Sequence, residues 1–89
     1  MKVQYTKRFS KDLDSILHDE KLKKRLLRVI ETMKRIDSLD GMDGVRKIQG
    51  YDGFYRIRMG DWRLGIKVEG DCVHMMRFLH RKDIYRKFP

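Results

Sequence analysis

The apolar residues of this 89-residue chain change their spacing at Phe54. Before that point they recur every third or fourth position: Phe9, Leu13, Ile16 and Leu17, then Leu22, Leu26, Val29, Ile30, Met33 and Ile36. That is the stripe of a helix with one buried face. After it they alternate with polar residues through Phe54 to Met59, Trp62 to Val68 and Val73 to Leu79, and the runs are separated by Gly60-Asp61 and Gly70-Asp71. Alternation broken by Gly-Asp pairs is the pattern of antiparallel strands joined by tight turns. A short opening strand holding Val3 and Tyr5 precedes the helices, with Thr6 placed to cap the first of them. The expected fold is α+β: a helical hairpin, near 6–18 and 21–37, packed on one face of a small, mostly antiparallel sheet, in the order β-α-α-β-β-β.

Residues 38–53 hold Gly41, Gly44, Gly50 and Gly53 among several aspartates and read as an irregular connection with a short strand at Val45 to Ile48. In the tail, Ile84 and Phe88 are spaced to dock a helical turn. The length admits one domain, residues 1–89, with one core. Cys72 is the single cysteine, which excludes an internal disulfide and a cysteine-rich metal site and fits a reducing cytoplasm. Neither an N-terminal apolar leader nor a membrane-length apolar run occurs, so no membrane association is expected.

Charge narrows the function. Twenty-two Lys and Arg stand against thirteen Asp and Glu, a formal net charge of +9, so a polyanionic partner is expected. The excess leans to the second half: residues 45–89 carry seven arginines and four lysines, and residues 1–44 carry four arginines and seven lysines. Arginine presents a planar fork of donors that fits phosphate, which makes this half the place to seek a site.

If Gly60-Asp61 is a two-residue turn, Met59 faces Trp62, Arg58 faces Arg63, Ile57 faces Leu64 and Arg56 faces Gly65. Apolar residues then meet apolar residues toward the helices, while Arg56, Arg58, Arg63 and Lys67 share the other face. Like charges directly opposite one another are destabilising, so four cations around a glycine read as an anion cradle that a ligand backbone approaches over Gly65. A merely solvated face is the structural alternative. The same alternation carries Met76, Phe78 and His80 to the open face. Phe78 would lie across from Arg63, available to stack on a base, and Arg77 would turn awkwardly toward the helices.

His80-Arg81-Lys82-Asp83-Ile84-Tyr85 then adds an imidazole, a guanidinium and a phenol at the end of the last strand. With Tyr5-Thr6-Lys7-Arg8-Phe9, Tyr55-Arg56-Ile57-Arg58 and Gly60-Asp61-Trp62-Arg63-Leu64, this segment resembles the RelE/ParE superfamily of bacterial toxins from type II toxin-antitoxin pairs. The resemblance runs along the whole chain and is most specific in the last two segments. It implies a toxin of the RelE-like branch, whose members cleave messenger RNA on the ribosome, with an antitoxin protein as partner. It also implies roles for Arg56, Arg58, Arg63, Arg81 and Tyr85. Arginines stand where some relatives have lysines, and the meander lacks the carboxylate base found in others. Glu69, beside a turn, is a poor substitute.

Metal-free RNA cleavage requires that the 2′-OH be deprotonated, the phosphorane charge be stabilised and the 5′-oxygen be protonated. Arg56, Arg58 and Arg63 would hold the phosphate. Tyr85, among cations that make a phenolate accessible, would act as base, and His80 or Arg81 would face the leaving oxygen. Lys67, Phe78, Lys82, Arg86 and Lys87 would bind flanking RNA. No carboxylate cluster suggests a magnesium site, so no metal or other cofactor is expected, and the product would be a 2′,3′-cyclic phosphate. A ParE-like inhibitor of DNA gyrase and a non-catalytic RNA-binding module are the alternatives.

Overall fold

The computed structural model describes residues 1–89. Strand β1 (Lys2–Tyr5) leads into α1 (Lys7–Asp14) and α2 (Glu20–Arg35). Strands β2 (Val45–Lys47), β3 (Phe54–Met59), β4 (Trp62–Glu69) and β5 (Cys72–His80) follow, and α3 (Arg81–Lys87) closes the chain. Both apolar runs start helices because each has a starting signal, but the first helix stops at Asp14, short of the expected residue 18, and leaves Ile16 and Leu17 in the turn that follows. The Thr6 hydroxyl accepts from the Phe9 N–H at 3.1 Å and the Asp19 carboxylate from the Leu22 N–H at 3.0 Å, satisfying donors that the first turn leaves free.

The strands form one sheet in the order β1-β5-β4-β3-β2. Only β1 and β5 run parallel, because the connection between them passes through the rest of the chain. Gly60 and Gly70, at φ 62° and 58°, make the two hairpin turns. The register across the first turn is the one that apolar matching demands: Met59 opposite Trp62, Arg58 opposite Arg63, Ile57 opposite Leu64 and Arg56 opposite Gly65. Phe9, Ile16, Leu22, Leu26, Ile30 and Met33 from the helical segment bury Ile57, Met59, Leu64, Ile66, Val73, Met75 and Phe78 of the sheet. No helix is long and apolar enough to cross a membrane.

The structure departs from the sequence expectation on β5. Ile66 pairs with Met75 and Gly65 with Arg77, so Met76 is an extra residue with no partner of its own. Such a bulge reverses the facing of every later side chain. Phe78 therefore pairs with Leu64 instead of lying across from Arg63; it is fully buried in the main core and stacks on Trp62 with ring centroids 5.3 Å apart. Arg77 turns away from the helices and reaches round the sheet edge to Asp12 of α1.

The second face of the sheet is not fully open either. Helix α3 crosses it, and Ile84 and Phe88 are buried there with Ile48, packed by Phe54, Met76 and Leu79. Gly65 is the floor of this small second core. A Cβ built on it would lie 2.6 Å from the Phe88 ring, so the close approach that its missing side chain permits is made by the chain's own tail.

Candidate active site

What α3 leaves uncovered is a groove of about 350 Å³ lined by Gly44, Arg46, Lys47, Arg56, Arg58, Arg63 and Tyr85. Three strands build it. Alternation along β3 puts Arg56 and Arg58 on one face, the hairpin register places Arg63 opposite Arg58, and the β2–β3 pairing places Arg46 opposite Arg56. The loop before β2 can lie against β3 because Gly44, at φ 77°, has no side chain to strike the Arg58 carbonyl. A Cβ there would sit 3.0 Å from that oxygen, while the Gly44 carbonyl accepts from the Arg58 N–H at 2.9 Å.

Helix α3 supplies the fourth wall. The Arg56 guanidinium carbon lies 4.5 Å from the centroid of the Tyr85 ring, a cation–π contact, and Tyr85 is 64% exposed. Arg63 is held by its own turn, donating from Nη1 to the carbonyls of Gly60 at 2.7 Å and Trp62 at 2.9 Å. None of Arg46, Arg56, Arg58 and Arg63 takes part in any of the six ion pairs in the chain. Two like-charged cross-strand pairs without counter-charges work against folding, and an anion in the groove would relieve them. The lining contains no carboxylate and no imidazole. Chemically, the groove can hold a phosphate, stabilise extra negative charge on it and present a phenol to it.

Four of the residues singled out from the sequence, Arg56, Arg58, Arg63 and Tyr85, thus meet in one place. Arg81 is not among the residues that line the groove. It lies one turn before Tyr85 on the same side of α3, with its Nε 3.8 Å from the Asp61 carboxylate and its backbone N–H donating to the Asp61 carbonyl at 2.8 Å.

Others are placed differently. His80 lies on the Trp62 side of the sheet, since the bulge turned it away from the arginines. Its Nδ1 accepts from the Lys82 N–H at 3.2 Å as the cap of α3, and its ring meets Trp62 edge-on. Phe78, being buried, has no face to offer a base. Lys67 is on the sheet face expected for it but near the far end of β4, over the Phe54 ring and 3.0 Å from Glu69. Hydrogen bonding from Lys67 holds the Glu69 carboxyl below its usual range. Lys82, Arg86 and Lys87 are exposed along α3, Arg86 being paired with Asp83 at 2.7 Å.

Sequence reasoning missed Arg46 and Lys47. The Val45-Arg46-Lys47-Ile48 alternation held the signal, and pairing that short strand with β3 would have set Arg46 beside Arg56.

Comparison with known proteins gives a consistent set. The family model for the ParE toxin of the type II toxin-antitoxin system, parDE, matches residues 3–85. Toxin RelE3 of Methanocaldococcus jannaschii is 43% identical over 90 residues, covering the whole of both chains. In the crystal structure of the RelB-RelE antitoxin-toxin complex from Methanococcus jannaschii, a chain 40% identical superimposes with a TM-score of 0.83, covering 97% of this chain and 99% of that one. YafQ from E. coli, at 18% identity and a TM-score of 0.69 over 93% of this chain and 96% of its own, shares the fold.

Proposed function

The chain belongs to the RelE/ParE family of toxins from type II toxin-antitoxin systems, and on that premise we propose that it is an endoribonuclease that cleaves messenger RNA on the ribosome. The observation that carries this reading is the convergence of Arg46, Arg56, Arg58 and Arg63, without counter-charges, beneath an exposed tyrosine.

A scissile phosphate in the groove would be held by Arg56, Arg58 and Arg63, whose forks match its oxygens. Tyr85 would act as the phenolate, having given its own proton to solvent with the Arg56 guanidinium over its ring offsetting the charge, and would then take the proton of the 2′-OH and return to the neutral phenol. The 2′-oxygen then bonds to phosphorus and the bond to the 5′-oxygen breaks. Arg81, released from Asp61, would stabilise that leaving oxygen, which takes its proton from solvent. The products are a 2′,3′-cyclic phosphate and a 5′-hydroxyl. In this scheme His80 acts at one remove, by capping the helix that carries Tyr85.

The solved relative is a complex with an antitoxin. We assign a cognate antitoxin to this chain as well, recognised by acidic groups laid over the uncompensated arginines.

The test is cleavage of a defined message on programmed ribosomes. Tyr85→Phe and Arg56→Ala should each lower the single-turnover rate by roughly 10²- to 10⁴-fold. A second reading, inhibition of DNA gyrase, has in its favour that the matching family model is the ParE one. Growth arrest that survives both substitutions, with gyrase activity lost in extracts, would establish that reading instead.

A further inference from the structure

Helix α3 divides the second face of the sheet. Tyr85 lines the arginine groove, but Arg86 and Lys87 line a separate cleft of about 560 Å³ with Arg8, Lys11, Asp12 and Arg77. Against this cleft lies a hollow of about 340 Å³ with Phe54, Met76, Phe88 and Pro89 in its walls, and Arg8, Arg77 and Lys87 belong to both. We propose that the cleft and hollow together are a second nucleotide subsite, taking a single-stranded RNA nucleotide that flanks the scissile one, with its base in the hollow and its phosphate on Arg8, Lys11 and Lys87. The proposal rests on the RNA-cleaving reading and extends it to a site on the other flank of α3.

The charge balance of the cleft points to an anion. Its one carboxylate is fully engaged: Asp12 Oδ2 accepts from Arg77 Nε at 2.8 Å and from the Phe78 N–H at 2.9 Å, and Oδ1 accepts from Arg77 Nη2 at 3.1 Å. Arg8, Lys11 and Lys87 form no ion pair, whereas Lys23, Lys34 and Lys67 each have a nearby glutamate. These three cations come from α1 and α3, far apart in sequence, and the fold brings them together despite their repulsion.

The hollow says which anion. An apolar wall beside cations is what a base and its phosphate require, since stacking needs only a flat apolar surface and the backbone needs only charge. An extended peptide strand would dock through main-chain partners, and polar groups beside the hollow are already engaged. The Phe78 N–H goes to Asp12, the Thr6 N–H to the Met75 carbonyl, and the Thr6 hydroxyl lies 3.0 Å and 3.1 Å from the carbonyls of Met75 and Met76.

Fluorescence anisotropy with non-cleavable 2′-O-methyl RNA tests this, using a short RNA that fills only the arginine groove and a longer one extended on both sides. Arg8→Gln combined with Lys11→Gln should weaken the long RNA about tenfold and lower its salt slope by roughly 1.4, the value for two phosphates at 0.7 each, while leaving the short RNA unchanged. An abasic residue at the flanking position should weaken the long RNA by roughly fivefold to 100-fold. An equal loss for both lengths, or none for either, overturns the subsite. Failure of the short RNA to bind the unmodified protein, with a polyglutamate peptide binding in its place, overturns the nuclease reading and the subsite with it.

Discussion

Replacing Gly65 by alanine adds one methyl group where the tail packs most closely on the sheet. The new Cβ would lie 2.6 to 2.8 Å from three carbons of the Phe88 ring, whereas non-bonded carbons settle at about 3.5–4.0 Å. The ring must move by about an ångström. Gly65 is not among the positive-φ glycines, so the β4 backbone accepts the alanine and the cost falls on the ring. Phe88 is 5% exposed and closes the cluster of Ile48 and Ile84. Expelling its ring costs about 1.5–3 kcal/mol, and about twice that if Ile84 follows. The thirteen buried residues of the main core, on the other face, lose nothing.

The expected result is local release of α3 with the rest of the fold intact. Amide exchange followed by mass spectrometry should show residues 81–88 exchanging roughly tenfold to 100-fold faster, with β4 and β5 unchanged. Cleavage should fall with it, because Tyr85 loses its place over Arg56, while the arginines still bind a short RNA. Phe88→Ala removes the ring, so adding Gly65→Ala to it should cost under about 0.5 kcal/mol, the scale of additivity errors. Unchanged exchange in α3, or an undiminished cost in the Phe88→Ala background, would refute the reasoning.

Other outcomes follow from single contacts. Asp12→Ala strands an Arg77 side chain that is 14% exposed together with the Phe78 N–H, and should cost about 3 kcal/mol, a fall in Tm of roughly 15 °C by calorimetry. Asp12→Asn, which keeps an acceptor, should cost less; an equal loss would deny the role of the carboxylate oxygens. His80→Asn preserves a capping acceptor and should retain most of the cleavage activity, whereas a general acid at that position would make the substitution as damaging as Tyr85→Phe. With arginines stabilising the phosphorane, a phosphorothioate at the scissile linkage should be cut no faster when manganese is added to the intact programmed ribosomes, and rescue by manganese would count against the scheme.

The family and the α+β architecture were legible in the sequence because they rest on local signals: the change of apolar period at Phe54, the Gly-Asp turns and the tail from His80 to Tyr85. The register that sets Arg58 against Arg63 was legible for the same reason, since a two-residue turn and side-chain alternation involve only neighbours. Arg46 was harder to find, because its strand has three residues and gains its meaning only by pairing with β3.

The bulge at Met76 is a different matter. Nothing in the alternation of β5 announces it; it is accommodated by Asp12 taking the Phe78 N–H and by Trp62 stacking on Phe78, contacts with partners far away in sequence. That single extra residue buried Phe78 and moved His80 away from the arginines. Gly65 likewise looked like room for a ligand until Phe88, 23 residues later in the chain, occupied it. Composition and alternation determined that the sheet carries a face of arginines, because those depend on residues side by side. Which part of that face stays open, and that Tyr85 stands over Arg56, only the packing of α3 decided, because burial is settled between segments that meet solely in the folded chain.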